Sequence, residues 1–245
     1  MTGESQSDLQ IRVLSSGDEL GQASALYRNV FGYDSSTTGL SPRLMRSLVD
    51  NGGIVLGAVT PQHALVGLIY GFTGHDGNGF FHYSQAAAIA PEAQGKGLGR
   101  QLKQTQAELA RGMGFSRMRW TYDPTDVRNG HFNLNVLGGN GIRFYPDYYQ
   151  DDGSDRILIE WALNSDAAQQ PESAGQPGVT VPAGIRQLRI TDPETASAVS
   201  ARVRSELEAG FAGGGILSSC ERQGDGSAIY RFGTMAQPTA GKATV

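Results

Sequence analysis

The chain has 245 residues, 39% of them hydrophobic and 18% charged, which is enough for one well-buried core with an appendage or for two small domains. A formal net charge of -4 argues against nucleic acid as the main partner, because no basic surface is expected. The single cysteine, Cys220, excludes an internal disulfide, and the four histidines lack the spacings of a zinc site, so no metal is expected.

The amino terminus, MTGESQSDLQ, is polar and acidic, and no run of about 18 apolar residues occurs anywhere in the chain. We therefore expect no signal peptide, no membrane span and no membrane partner. These features are typical of a cytoplasmic protein.

The first part of the chain predicts a strand, two helices and three further strands. Residues 9–16 alternate like a strand, and the helical periodicity that follows them gives way to a second helix starting at Ser41 and Pro42. Three strands joined by turn residues then predict an antiparallel meander. They are expected at 53–60, 64–74 and 79–90.

The next part continues with a helix, a strand, a short helix and a strand. The helix covers 97–112, the strand 115–123, and the short helix begins near Asp126. The last strand of this part, DRILIEWAL, ends at Leu163. We expect a mixed α/β (α+β) fold, in which helices flank a mostly antiparallel sheet.

A segment rich in Pro, Gln, Ser and Gly follows and has the composition of a linker. Beyond it, GIRQLRI is predicted to be a strand, Asp192 to cap a long helix, and GGILSSCE with GSAIYRF to form a terminal strand pair. This part is a small C-terminal α/β extension. The predicted division is a disordered start 1–8, a main domain 9–164, a linker 165–182, an extension 183–235 and a disordered tail 236–245.

The glycine-rich run between the strand ending near Ala90 and the helix at 97–112 is the strongest functional signal. A strand, a glycine turn and a helix together present free backbone N–H groups at a positive helix end, which favours an anion. A Walker-type loop is disfavoured because Gly95-Lys96 is followed by glycine without a hydroxyl residue. A dinucleotide fingerprint is disfavoured because position 100 is arginine and the preceding strands form a meander.

The run Gln94-Gly95-Lys96-Gly97-Leu98-Gly99 fits Gln/Arg-x-x-Gly-x-Gly/Ala and resembles the pyrophosphate loop of the GNAT superfamily of acyl-CoA N-acyltransferases. The predicted order of elements over roughly 9–163 is similar to the GNAT fold as well. The stretches APEAQGKGLG, RWTYDPTDVRNGHFNLNVLGG and YYQDDGSDRILIEW resemble a bacterial GNAT subgroup with a C-terminal extension.

The resemblance implies acyl-CoA as donor substrate and assigns a set of residues to it. The backbone at the end of the strand before the loop is expected to lie along the pantetheine, and the loop is expected to hold the pyrophosphate. Two asparagines resemble the cofactor-side asparagines of the subgroup. The expected cofactor-binding residues are Ile89, Ala90, Gln94, Gly95, Lys96, Gly97, Leu98, Gly99, Arg100, Asn129 and Asn133.

Acyl transfer to an amine needs a neutral nucleophile, a route for its proton, and a group to protonate the departing thiolate. Many GNAT enzymes use a helix Tyr for the last role, but Leu134 stands at that place here. The candidate catalytic residues are His82, Tyr122, Asp123 and His131, with Asn133 and Tyr145 as further substitutes for the missing acid.

Each candidate has a structural alternative. His82 is a potential base on a strand where the subgroup has Ser-His and this chain has Ser84-Gln85, although an isolated strand histidine is more often structural. Asp123 is expected either to grip a polar acceptor together with Arg128 or to make a simple Asp-Pro turn.

The leading hypothesis is transfer of an acetyl or related acyl group from acyl-CoA to a primary amine of a small metabolite or amino acid derivative. The first alternative is a bulkier donor such as succinyl-CoA, whose carboxylate could meet Arg119, Arg128 or Arg143. The second is an acyl-CoA-binding module without turnover. The extension is expected to cover the acceptor end or the face of a homodimer.

Overall fold

Five ranges of the chain are described by a computed structural model: 9–33, 39–150, 153–164, 172–173 and 178–234. The chain divides after Arg119 into two compact units. The predicted domain boundary at 165–182 lies inside the second unit. The predicted disordered ends, 1–8 and 236–245, lie outside the described residues.

The first unit is built on an antiparallel meander, as predicted. Its strands pair in the order β1, β2, β3, β4 and then the start of β5, with β4 and β5 parallel. The strands are β1 Gln10–Val13, β2 Ile54–Val59, β3 Leu65–His75, β4 Phe80–Ile89 and β5 Arg117–Tyr122.

Two helices pack on this meander because their apolar residues lie on one face. Helix α1, Gly17–Phe31, starts with a capping box in which Ser16 and Glu19 satisfy each other's backbone N–H groups. Helix α2, Pro42–Asp50, has Pro at its first position, and Ser41 precedes it without a side-chain capping bond. A core of Leu14, Leu20, Met45, Val55 and Leu68 lies between them and the strands.

Helix α3, Leu98–Gly112, follows a short 3₁₀ turn at Pro91–Ala93. Its buried face includes Leu98, Leu102 and Ala107. Leu98 and Leu102 approach Gly67 so closely that a Cβ there would lie 3.1–3.2 Å from their side chains. Helix α3 therefore packs directly on the middle of β3.

The second unit begins inside β5 and contains six further strands and three helices among its described residues. Strands β6 and β7 pair antiparallel, β6 pairs with β10, and β10 and β11 form the predicted terminal pair. The elements are α4 Val127–His131, β6 Asn140–Tyr145, β7 Arg156–Ala162, β8 Glu172–Ser173, β9 Val179–Val181, α5 Ile185–Thr191, α6 Pro193–Ala212, β10 Ile216–Arg222 and β11 Ala228–Thr234.

One prediction for this unit is corrected, and three strands are found that were not predicted. The segment predicted as a strand at GIRQLRI is helix α5, in which Ile185 is buried and Ile190 is 75% exposed. Strand β6 was not predicted. Two short strands, β8 and β9, lie within the predicted linker and pair with β11.

Helix α6 begins as predicted, with the Asp192 side chain accepting from the Thr195 N–H and Pro193 at the first position. In the described part of the chain, no helix is both long and apolar enough to cross a membrane.

Candidate functional site

The glycine loop is fixed to the end of β4 by its first side chain. Gln94 Nε2 donates to the Ile89 carbonyl at 2.9 Å, which closes the turn between strand and helix. Gly95 and Gly97 follow with φ of 75° and 80°, a left-handed conformation that L side chains rarely adopt. The loop conformation therefore favours glycine at these two positions.

The space above the loop is open. A Cβ built on either Gly95 or Gly97 would meet no atom of the described residues within 4 Å. Gly97 is also the N-cap of α3 and supplies no capping side chain, so the first N–H groups of a 15-residue helix point to this space. Lys96 and Arg100 are exposed beside it. The loop has the geometry and the charge of an anion site.

Strand β4, which leads to this loop, contains a β-bulge and pairs with β5 over only part of its length. Tyr70 pairs with Ala86 and Gly71 with Ser84, so Gln85 is an extra residue that locally redirects the strand. The parallel register between β4 and β5 contains His82–Met118 and Tyr83–Arg119. Beyond Tyr83 β4 continues to Ile89 with no parallel pair found among the described residues.

Ile89 and Ala90, the two residues expected along the pantetheine, use different backbone groups in hydrogen bonds within the protein. The Ala90 N–H donates to Val66 O at 2.9 Å, so it is used within the sheet. Ile89 is half-buried, and its carbonyl is the one that accepts from Gln94. The Ala90 N–H is therefore not available to a ligand in this conformation.

His82, a candidate base, lies inside the first unit rather than on a surface. It is 0% exposed, and neither ring nitrogen has a partner among the described residues. Burial, with the nearby Lys103 ammonium as a smaller cause, lowers the pKa of His82 from 6.5 to about 4. This placement favours a role in the core over contact with a substrate.

Near His82, a buried polar contact joins β4 to α3, and a second buried polar side chain lies on the same helix. Lys103 Nζ donates to Ser84 Oγ at 2.9 Å, and burial lowers the pKa of Lys103 well below its ordinary value. Gln106, one turn along the helix, is 0% exposed, and its amide has no partner among the described residues. The sequence did not indicate the burial of Lys103 and Gln106, because these residue types are usually found on a helix surface.

Tyr122 and Asp123 lie in the second unit, at the end of β5. Burial raises the pKa of the Tyr122 phenol well above its ordinary value, while the nearby Tyr230 hydroxyl acts in the opposite direction. Asp123 Oδ1 accepts from the N–H and the hydroxyl of Thr125 at 2.8 and 2.6 Å. Its other oxygen lies 3.7 Å from Arg189 of α5, so its ion-pair partner is Arg189, where the sequence had suggested Arg128.

The region after β5 contains the remaining predicted residues. Asp126 caps α4 by accepting from the Asn129 N–H at 3.0 Å, and the Asn129 side chain is exposed. His131 Nδ1 lies 3.2 Å from Cys220 O, and since a carbonyl can only accept, Nδ1 carries the proton and Nε2 is the basic nitrogen. His131 is half-buried.

In the side-chain amide of Asn133, the oxygen has a hydrogen-bond partner and the nitrogen has none among the described residues. Its Oδ1 accepts from Trp120 Nε1 at 3.0 Å, while Nδ2 is buried without a partner among the described residues. A buried orphan donor of this kind fits a carbonyl of a bound ligand. Asn133 lies in a π-helical turn, Phe132–Val136, together with the buried Leu134. Turns of this type are frequent at functional sites.

The three arginines considered for a bulky acyl donor are not equivalent. Arg119 pairs with Asp76 at 2.8 Å, lies 4.6 Å from the centre of the Phe81 ring, and has a side chain only 11% exposed. It is therefore committed to a structural contact. Arg128 and Arg143 are exposed, and Arg143 lies 5.6 Å from the centre of the Tyr145 ring.

Comparison with known proteins supports the coenzyme assignment. Residues 23–133 match the family model "Acetyltransferase (GNAT) family". The structure of yncA from Salmonella typhimurium with its cofactor acetyl-CoA is similar with a TM-score of 0.54 and 17% identity, over 65% of this chain and 96% of that one. A ribosomal-protein-S5-alanine acetyltransferase from Vibrio fischeri gives 0.53 and 16%, over 64% and 94%.

Curated protein sequences give no match. At these identities the two structures establish the fold. The family model supports the superfamily for residues 23–133, which match the GNAT acetyltransferases, a family of CoA-dependent N-acetyltransferases.

Proposed function

We propose that the protein transfers an acetyl group, or a closely related acyl group, from acyl-CoA to the primary amine of a small metabolite or amino acid derivative by direct attack in a ternary complex. The observation that carries this proposal is the open glycine loop at the amino end of α3. Gly95 and Gly97 leave the space over the loop empty, and the helix end is uncapped.

The residues present fit acyl-CoA. The loop N–H groups, with Lys96 and Arg100, suit a pyrophosphate. When bound, acyl-CoA supplies an activated thioester carbon for the amine. The protein must then orient the amine, accept its proton and keep water away.

We assign the proton chemistry to the second unit. Tyr122 stays protonated at neutral pH because burial raises its pKa, so it suits the role of an acid and not that of a base. His131 Nε2 and the Asp123 carboxylate are the groups suited to accept a proton from the amine. His82 is left out of this assignment because it is fully buried.

The test is turnover of acetyl-CoA and, separately, succinyl-CoA against a panel of small primary amines, followed by release of free CoA thiol and by mass of the product. Cys220 adds no background in a thiol assay, since burial raises its pKa to about 12. We expect turnover with at least one amine. If His131 or Asp123 is the base, the corresponding variant, His131→Gln or Asp123→Asn, should lose about 10²- to 10⁴-fold in kcat. The exposed control His75→Gln should keep a near-normal kcat.

A non-catalytic acyl-CoA-binding protein is the second candidate function. It is favoured by one observation, the buried Leu134 at the place where many GNAT enzymes have a Tyr. Tight binding of acetyl-CoA with no thiol release across the whole amine panel would support this candidate and contradict the enzymatic one.

A further inference from the structure

The second unit contains a cavity that includes Asp123, a candidate proton acceptor, and whose ligand has not yet been assigned. Its volume is about 480 Å³, within the range of roughly 300–1,000 Å³ that is usual for small-molecule sites. It is lined by the residues that follow β5, by the connection between β6 and β7, by α5 and by one face of α6. The charged and hydroxyl-bearing residues that matter most are Asp123, Thr125, Asp155, Arg189, Arg204 and Glu208.

Two opposite charges lie side by side in this cavity without forming a close pair. Arg189 Nη1 is 3.7 Å from Asp123 Oδ2, well beyond the 2.7–2.9 Å that is typical of a charge-assisted hydrogen bond. Arg189 Nη2 reaches Thr125 Oγ1 at 3.4 Å. Because Thr125 already donates twice to Asp123 Oδ1, the carboxylate is fixed in place and Oδ2 keeps its capacity to accept.

The other arginine in the wall is committed to structure. Arg204 of α6 donates to Asp155 at 2.7 and 3.0 Å and to Asp147 at 2.6 and 3.0 Å. These four bonds fix α6 to the connection between β6 and β7. Arg204 and Asp155 are both held in these bonds, so the charged lining residues outside them are Asp123, Glu208 and Arg189.

The face of α6 towards the cavity has small side chains, which leave room for a ligand. Ala196, Ser197, Ser200 and Ala201 all line it, spaced as neighbours on one helical face. Two of them bring hydroxyl groups that can donate or accept. The cavity therefore combines free volume with two neighbouring opposite charges, Asp123 and Arg189.

We propose that this cavity binds a small zwitterion of the amino acid type, with the ligand ammonium on Asp123 and the ligand carboxylate on Arg189. An amine and a carboxylate carried by the same carbon lie next to each other, as the two protein charges do. Each protein charge gains a closer partner than it has in the free protein. Under the proposed function, on which this role rests, the bound amino acid is the acyl acceptor.

Binding is tested on the full chain without acyl-CoA, by calorimetry and by ¹H–¹⁵N shifts of Thr125 and Gly153. The probes are the free L-amino acids, each at millimolar concentration. For any that binds, the matched N-acetyl derivative lacks the ammonium and the matched amide lacks the carboxylate. We expect at least one amino acid to bind and both derivatives to lose about 10- to 100-fold in affinity.

The protein variants separate this site from general effects. Arg189→Gln should weaken binding about 10- to 100-fold. Arg186→Gln is the matched control on the same helix, because Arg186 does not line the cavity and its side chain is 83% exposed. A second pair tests the volume: Ala201→Leu should block binding, while Ala198→Leu, outside the cavity lining, should not.

The proposal is overturned if no amino acid binds, or if Arg189→Gln and Ala201→Leu bind as well as their controls. Its failure is distinct from failure of the proposed function. Turnover of acetyl-CoA with an amine that is not an amino acid, together with no binding of amino acids, contradicts the cavity site alone. Amino acid binding that depends on Arg189, without any turnover, supports the site and contradicts the enzymatic role.

Discussion

The buried imidazole of His82 should make the stability of the protein depend on pH in a measurable way. Its pKa is about 4 in the folded protein against 6.5 when exposed. Between these values the unfolded chain binds more protons than the folded one, so the stability from this group is complete above pH 6.5 and is lost as the pH falls. The full difference of 2.5 units corresponds to about 3 kcal/mol, of which about 2 kcal/mol is lost between pH 7 and pH 5.

Urea unfolding of the wild type and of His82→Leu at pH 5, 6, 7 and 8 measures this loss. The carboxylates titrate equally in both proteins, so the wild type should lose about 2 kcal/mol more than His82→Leu between pH 7 and pH 5. Met118→Leu is the control, since Met118 is the strand partner of His82 and the change conserves volume. It should keep the wild-type dependence on pH.

A direct measurement covers the case in which His82→Leu does not fold. In histidine-labelled wild-type protein, the His82 imidazole signals should stay those of the neutral ring down to about pH 5. Titration of His82 near pH 6.5, or equal pH dependence in the wild type and His82→Leu, would refute the reasoning from burial.

Three further predictions concern stability. Trp120→Phe leaves the buried Asn133 Oδ1 without its donor and should lower the free energy of unfolding by about 1–3 kcal/mol; a loss below about 0.5 kcal/mol would contradict the bond. Arg204→Gln should cost about 1–3 kcal/mol because it leaves two carboxylates unpaired, whereas Arg202→Gln, which breaks an exposed pair with Glu206, should cost less than about 1 kcal/mol; equal losses in the two variants would be inconsistent with this difference. Gly21→Ala, inside α1 with no atom within 4 Å of the new Cβ, should raise stability by about 0.5–1 kcal/mol in the same unfolding assay, and any destabilisation would speak against the open space there.

The meander and the glycine loop could be predicted because both depend on local chemistry. The strands alternate and end at turn residues, and the run from Gln94 to Gly99 requires left-handed glycines before a helix. These features also carry the resemblance to the GNAT family. The predicted cap at Asp192 and the predicted helix start near Asp126 are confirmed for the same reason, since each Asp side chain bonds within the first turn of its helix.

The errors concern segments whose structure depends on distant partners. In GIRQLRI the apolar spacing suits either a strand or one helical turn, and α5 packs mainly through α6. Strands β8 and β9 are two and three residues long, and their only recorded partner in the described chain is β11, which lies more than 40 residues later. Local composition carries no information about such pairings.

The candidate site shows the same limit. His82 and Ser84 are two residues apart on β4 and therefore share a face, but the sequence could not show that Ser84 contacts Lys103 of α3. Asp123 was expected to pair with Arg128, five residues away, and pairs with Arg189, which lies 66 positions along the chain. Burial and ion-pair partners are set by tertiary packing, which one sequence alone does not specify.

The most direct test of the central claim is calorimetric binding of CoA to the wild type and to two glycine variants. Gly97→Asn places a side chain in the open space over the loop while tolerating the left-handed backbone, and Gly77→Asn makes the same change at an equally open, left-handed position in the β3–β4 turn. We predict that CoA binds the wild type and Gly77→Asn alike and binds Gly97→Asn at least about tenfold more weakly, a difference of about 1.4 kcal/mol. Equal CoA affinity in all three proteins, or no binding to the wild type, would contradict the assignment of this loop to acyl-CoA.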